Sequence, residues 1–277
     1  MSVAFLDEMA DASRARVRAA KEIRSEAALE VHARQTPAPP RLRLDACGFD
    51  LIAELKLRSP AAGQLGGPGE NVAARVTAYA RAGAAAISVL TEPSRFDGSL
   101  EHLASATRAL APFAVPVMRK DFLVDPYQVL EARALGAGGV LVIVRMLSRS
   151  EIDALLDCAR ALGLFVLLEA FDARDLELVR ELIETHAGAS PLLAGVNCRD
   201  LATLQVVPQR LLELAPLLPA RAPRVAESGV ATAADARQIV AAGYQLALVG
   251  SALMQAGDPA ALAAVLLAAG RAARKAP

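Results

Sequence analysis

The sequence holds little of several common chemistries. Only three of its 277 residues are cysteine (Cys47, Cys158, Cys198) and only three are histidine (His32, His102, His186). No two cysteines have CxxC spacing, which excludes a disulfide framework and argues against a zinc site. So few histidines leave little material for a His-rich metal centre or a Ser-His-Asp hydrolase. Net charge is also lacking, with 30 basic residues against 30 acidic ones. A chain without charge excess carries no electrostatic footprint for nucleic acid or an anionic membrane. No apolar run reaches the ~18–20 residues that span a bilayer. The N-terminus carries Asp7, Glu8 and Asp11 and no apolar h-region, so no signal peptide and a cytoplasmic setting are expected.

What is present is apolar and long enough to fold. Hydrophobic residues make up 54% and mean hydropathy is +0.35, which excludes disorder as the main state. The length fits one large domain or two small ones. Lysine is scarce: of the 30 basic residues only Lys21, Lys56, Lys120 and Lys275 are not arginine. A lysine inside an apolar segment therefore needs a reason, because lysine can give up a proton and arginine cannot. Lys56 and Lys120 both sit in such segments.

Short, near-continuous apolar runs recur along the chain: DLIAELK from 50, AISVLTE from 86, VPVMRKD from 115, GVLVIV from 139, LFVLLEA from 164, LLAGVN from 192, RVAESG from 224 and LALVGS from 246. Runs of this kind read as parallel strands covered on both faces. Amphipathic helices are predicted between and after them, over 71–82, 100–110, 126–135, 149–162, 173–186, 208–217, 233–242 and 259–273. Asp125-Pro126 reads as an N-cap with proline at N1, and Gly83, Gly136, Gly163 and Gly243 read as C′ positions. Eight strand–helix units predict an α/β fold, a (β/α)₈ TIM barrel. The first loop, SPAAGQLGGPGE, does not fit the dinucleotide fingerprint of a doubly wound sheet. Residues 3–34 read as a charged helical extension, ended by TPAPPR at 36–41. The expected organisation is a helical extension over 1–44 and a single barrel domain over 45–277.

Barrel enzymes place their chemistry at the C-terminal strand ends. Those ends carry Glu54 and Lys56, Glu92, Lys120 and Asp121, Glu169, Asn197 and Arg199, and Glu227. A charge inside a barrel strand costs several kcal/mol unless paired, so Glu54 and Lys56 could merely neutralise each other. Scattered surface charge does not explain convergence at one rim. A lysine among carboxylates can act as a general acid, bind a substrate carboxylate or, once desolvated, form a Schiff base. Glu227-Ser228-Gly229 and Gly250-Ser251 follow the last two strands, where loops of this fold often cradle phosphate. Ser59 can add a hydroxyl. The expected ligand is a small phosphorylated anion.

The segments LIAELKLRSP, AGAAAISVLTEPSRFDGSLEHL, VPVMRKDFLVDPYQVLEARALGA, LLEA, AGVNCRDL, VAESGV and LVGSALM resemble the indole-3-glycerol phosphate synthase family over roughly residues 45–256. The resemblance implies a decarboxylating lyase. Such an enzyme converts 1-(2-carboxyphenylamino)-1-deoxyribulose 5-phosphate to indole-3-glycerol phosphate in tryptophan biosynthesis, with no metal or organic cofactor. It implies that Lys120 is the general acid, that Lys56 holds the anthranilate carboxylate and donates a proton in dehydration, and that Glu54 is its strand partner. Glu169 matches a proton-shuttling carboxylate, and Asn197 and Glu227 match groups that position sugar hydroxyls and lysines. Arg199 matches a rim arginine. Ser59, Ser228, Gly229, Gly250 and Ser251 match the phosphate site, and Phe96 and Phe122 match the aromatic walls. Phosphorylated small molecules are the only partners implied; a monomer or weak homodimer is expected.

The chain departs from that family in the loop after the first strand, where AAGQLGGPGEN lacks the usual acidic-aromatic stretch. Arg58 stands where some members have lysine, and Cys198 is unusual. Two alternatives stay open: a paralogue acting on a modified anthranilate-derived substrate, and a barrel that binds phosphorylated ligands without catalysis. Phosphoribosylanthranilate isomerase would call for a cysteine base at the end of the first strand, where Glu54 and Lys56 stand instead.

Overall fold

A computed structural model describes residues 2–45, 48–67, 69–186, 188, 191–200 and 203–275; Cys47 and Pro68 lie outside them. The eight apolar runs form eight parallel strands: β1 (Asp50–Leu55), β2 (Ala86–Leu90), β3 (Val117–Lys120), β4 (Gly139–Ile143), β5 (Phe165–Ala170), β6 (Leu192–Asn197), β7 (Arg224–Glu227) and β8 (Leu246–Val249). They close into a barrel in chain order, with β8 pairing back onto β1. Strand periodicity of two explains why both faces are apolar. Leu51, Ala53 and Leu55 face outward into the shell beneath the helices. Ile52, Met118, Leu141, Leu167, Leu193, Val225 and Leu246 fill the interior. Glu54, Lys120, Glu169, Asn197 and Glu227 continue the inward-facing set of their strands at the C-terminal end.

The helices follow the predicted spans. After α1 (Ser2–Ile23) and α2 (Glu26–Gln35) come α3 (Val72–Arg81), α4 (Leu100–Leu110), α5 (Pro126–Ala134), α6 (Arg149–Ala161), α7 (Ala173–Thr185), α8 (Gln209–Leu214), α9 (Ala233–Ala241) and α10 (Pro259–Lys275). Asp125 caps α5 by accepting from Tyr127 N at 2.8 Å, with Pro126 at the first helical position. Gly83, Gly136, Gly163 and Gly243 all have positive φ. Two expectations need correction. The segment 208–217 is helical only to Leu214 and tightens into a 3₁₀ turn over Ala215–Leu217 that contains Pro216, because proline cannot continue the i→i−4 ladder. The extension is two helices, not one; Ser25 breaks it by capping α2, accepting from Ala28 N at 3.3 Å.

Those two helices have different seats. In α2, Leu29 and Ala33 pack on Tyr127 and Leu130 of α5. The first turns of α1 lie over the barrel mouth, where Leu6 and Met9 join the interior cluster.

At the other end the floor is set by size complementarity. Gly139 pairs with Phe165 across β4 and β5, and a β-carbon on Gly139 would overlap the Phe165 ring. The expected effect of Gly139→Ala is a loss of about 1–3 kcal/mol through overpacking, measured as a lower urea midpoint. Adding Phe165→Leu should restore part of that loss. An unchanged midpoint in Gly139→Ala alone would refute this packing account.

Candidate active site

The charged groups of the strand ends meet at the top of the interior. Glu54 on β1 is buried and takes two cations. Lys56 Nζ lies 2.8 Å from its Oε1, and Lys120 Nζ lies 3.9 Å from its Oε2. Lys120 also lies 3.8 Å from Glu169 Oε2 on β5. Asn197 Nδ2 donates to Glu169 Oε1 at 3.0 Å, while Asn197 Oδ1 accepts from Ser228 Oγ and Arg199 N, each at 3.0 Å. Glycine makes the room. A β-carbon on Gly195 would collide with the Glu227 carboxyl, and one on Gly250 would collide with the Glu54 carboxyl.

Burial and mutual charge set the protonation states. Burial pushes the Glu54 carboxyl up, but the ammonium groups of Lys56 and Lys120 outweigh it and hold the group below its ordinary value. Burial pulls Lys120 down, yet the carboxylates of Glu169 and Glu54 push it up to about 12. Glu227 goes the other way. Burial and the neighbouring Glu169 carboxylate hold its carboxyl well above the usual range. Among the described residues both Glu227 oxygens and Glu169 Oε2 have no donor. Two carboxyl groups are acceptors only until one carries a proton; a protonated Glu227 donates to Glu169 and gives two of those three oxygens a partner.

Above this charged floor lies a cavity of about 430 Å³. Most residues singled out in the sequence line it: Glu54, Lys56, Ser59, Phe96, Lys120, Phe122, Glu169, Asn197, Arg199, Glu227, Ser228, Gly229, Gly250 and Ser251. Ser228 and Gly229 both have positive φ, 67° and 74°, the left-handed conformation that favours glycine and is costly for serine. Arg199 braces the rim, donating to the Leu204 carbonyl at 2.6 Å. The Phe96 and Phe122 rings lie 6.2 Å apart.

Two rim charges do not join them. Glu92 and Asp121 are buried but turned away from the cavity. Glu92 caps the short helix Pro93–Phe96, and Asp121 accepts from Arg119, Arg16 and Thr91. The sequence reading also missed lining residues. Phe5 and Leu6 of α1 reach the cavity, and the Phe5 ring meets Phe122 edge-on at 6.0 Å. Leu204 and Val206 line it from the loop after β6. The stripe Leu6, Met9, Ser13 and Val17, at helical spacing, was the available signal for α1. The loop after β1 is ordered by its own contacts. Arg58–Ser59 pairs with Gly63–Gln64, and the amides of Leu65 and Gly66 donate to the Leu57 carbonyl.

The raised Glu227 carboxyl has a stability consequence. A carboxyl held above its unfolded value of 4.5 costs stability progressively as pH rises from that value through its folded one. Glu227→Gln keeps the shape and the donor to Glu169 without that cost. Its melting temperature should match wild type near pH 4.5 and exceed it increasingly toward pH 8. A pH-independent offset between the two proteins would contradict this assignment.

Comparison with known proteins agrees with the geometry. Residues 6–266 match the family described as indole-3-glycerol phosphate synthase. An indole-3-glycerol phosphate synthase of Parafrankia sp. is 42% identical over 267 residues, covering 96% of each chain. That of Mycobacterium tuberculosis is 40% identical over 269 residues, covering 96% of this chain and 94% of the relative. Among solved structures, 3-hexulose-6-phosphate synthase from Salmonella typhimurium superposes with a TM-score of 0.61 at 17% identity. It covers 80% of this chain and 98% of that one, a likeness of fold alone. The family match and the near-full-length identity lead to one conclusion: this chain belongs to the indole-3-glycerol phosphate synthase family.

Proposed function

We propose that the chain closes the indole ring: it converts 1-(2-carboxyphenylamino)-1-deoxyribulose 5-phosphate to indole-3-glycerol phosphate, CO₂ and water. The carrying observation is Lys120, whose ammonium lies between the carboxylates of Glu54 and Glu169 at the cavity floor. Ring closure puts negative charge on the substrate ketone oxygen as the aryl carbon bearing the carboxylate attacks the carbonyl carbon. An ammonium held near 12 stays charged at neutral pH and passes its proton only to a strongly basic oxygen, which the forming alkoxide is. The aryl carboxylate then leaves as CO₂ and the ring regains its aromaticity. Dehydration follows. The former carbonyl oxygen departs as water with a proton from Lys56, and Glu169 takes the proton released as the double bond forms.

The remaining residues fix the flexible chain. In this reading Lys56 holds the aryl carboxylate before closure, and Asn197 and Glu227 position the sugar hydroxyls and the lysines. Ser59, Ser228, Gly229, Gly250 and Ser251 hold the phosphate, with Arg199 bracing the rim beside it. Phe96 and Phe122 wall the aryl ring. Anchoring both ends of the substrate brings the reacting carbons together. Residues 45–277 carry this chemistry and residues 1–44 form the helical extension. The reading extends to a cytoplasmic setting and to a monomer or weak homodimer. Among the described residues no helix is long and apolar enough to cross a membrane.

Turnover is measured by fluorescence of the indole product without added metal. Lys120→Ala should lower kcat by ~10²–10⁴-fold, the range of a general acid. Lys120→Arg keeps the cation without a transferable proton and should stay nearly as slow. Full activity in Lys120→Arg would mean that charge alone is needed. No turnover by folded wild type that still binds inorganic phosphate would overturn the proposed activity.

A further inference from the structure

Arg16 stands on α1, outside the barrel, and its guanidinium spans two strand ends. One arm meets Asp121 (Nη2–Oδ1, 2.6 Å) and the other meets Glu92 (Nη1–Oε1, 3.3 Å). Both carboxylates are buried. Asp121 directly follows Lys120, and it also accepts from Arg119 at 3.1 Å, Thr91 Oγ1 at 2.7 Å and Phe122 N at 2.8 Å. Ser13, one turn before Arg16, donates to the Phe122 carbonyl at 2.5 Å. The backbone that follows Lys120 is therefore tied at Asp121 and Phe122 to a helix outside the barrel. Glu92 holds a different part of the cavity. It caps the turn Pro93–Phe96 by accepting from Ser94 N at 2.9 Å and Arg95 N at 2.7 Å. That turn carries the Phe96 ring and ends at Asp97, which pairs with Arg58 of the loop after β1 at 3.4 Å.

We infer that Arg16 is a positioning residue: it locks the strand end bearing Lys120 and the turn bearing Phe96 into one fixed relation, so that α1 sets the proton donor against the aryl wall. The inference rests on the proposed ring closure. A planar fork holds two carboxylates on two separate, rigidly connected arms and so fixes their relation, which a single point-like ammonium does not. Arg16 is also dispensable to each acceptor taken singly. Without it, Asp121 keeps Arg119 and Thr91, and Glu92 keeps two amides and the Ser94 hydroxyl. What its loss removes is the joint between them. Sub-ångström drift between the donor and the aryl ring is costly in a reaction that depends on near-attack geometry.

The test compares kcat, KM and melting temperature for wild type, Arg16→Ala, Arg16→Lys, Asp121→Asn and Glu92→Gln. Arg16→Ala should remain folded and lose ~10–100-fold in kcat with a raised KM. Its affinity for inorganic phosphate should change little, because four of the five proposed phosphate residues follow β7 and β8, across the barrel from β3. Asp121→Asn should act mainly on kcat and Glu92→Gln mainly on KM, a split that a general loss of stability does not produce. Arg16→Lys should recover part of the loss. Should Arg16→Ala fail to fold, Asp121→Asn and Glu92→Gln, which keep the shape of each acceptor, decide the matter. An active wild type with kcat and KM in these variants within about twofold of it, or with losses that merely track melting temperature, overturns this inference alone. An inactive wild type overturns the proposed activity and this inference with it.

Discussion

Charge confined in a dry barrel is the constraint on which the rest of this structure depends. Glu54 sits at the top of an interior otherwise filled by Ile52, Met118, Leu141 and Leu167. A lone carboxylate there would neutralise itself by taking a proton. It stays ionised because Lys56 and Lys120 both face it. The other features follow from making that arrangement possible. Gly195 and Gly250 replace side chains that would occupy the space of the Glu227 and Glu54 carboxyls. Burial and the neighbouring Glu169 carboxylate favour the protonated form of Glu227. Two ammonium groups then face two carboxylates, with one neutral acid beside them.

The same constraint explains the position of the N-terminal helix. A charged floor is useful only if water is limited above it, since screening weakens each interaction. The phenyl rings of Phe5, Phe96 and Phe122 and the side chain of Leu6 supply an apolar roof over the lysines. Phe5 and Leu6 come from α1, so the helix must be seated in one orientation. Ser13 and Arg16, two and three turns along, seat it through buried polar contacts with the β2 and β3 ends. Apolar packing alone tolerates sliding; directional bonds to Asp121, Glu92 and the Phe122 carbonyl do not.

This division explains what the sequence disclosed. The strand rhythm, the caps at Asp125 and the glycine stops were legible because they are local: burial on both faces, a side-chain oxygen near free amides, a positive φ. Lys56 and Lys120 were legible through scarcity, as lysines in apolar runs of an arginine-rich chain. Glu92 and Asp121 looked equivalent to Glu54 and Glu169 because strand-end position is also local. Asp121 turns toward Thr91, Arg119 and Arg16, the last more than a hundred residues away, and Glu92 turns to cap the helix that follows it. The break at Ser25 was missed because Ser25 interrupts a segment whose composition is helical on both sides. The seat of α1 was illegible for the same reason as Arg16: it is fixed by partners distant in sequence.

Stability and function pull in opposite directions at this site. A buried ion pair gains little over a well-packed apolar pair of the same volume and often loses to it. The outer shell, where Leu51, Val89, Val142, Leu168 and Val196 meet the helices, holds the barrel closed without help from the charged cluster. A barrel selected for stability alone would carry well-packed apolar side chains in place of the whole charged cluster. A barrel that instead retains two lysines among three carboxyls and accepts a left-handed serine at Ser228 is maintaining a polarised cavity at a standing cost. That cost has a counterpart in a reaction which needs a cation at an oxygen, an acid for a leaving hydroxyl and a carboxylate for a proton, all within one enclosed volume.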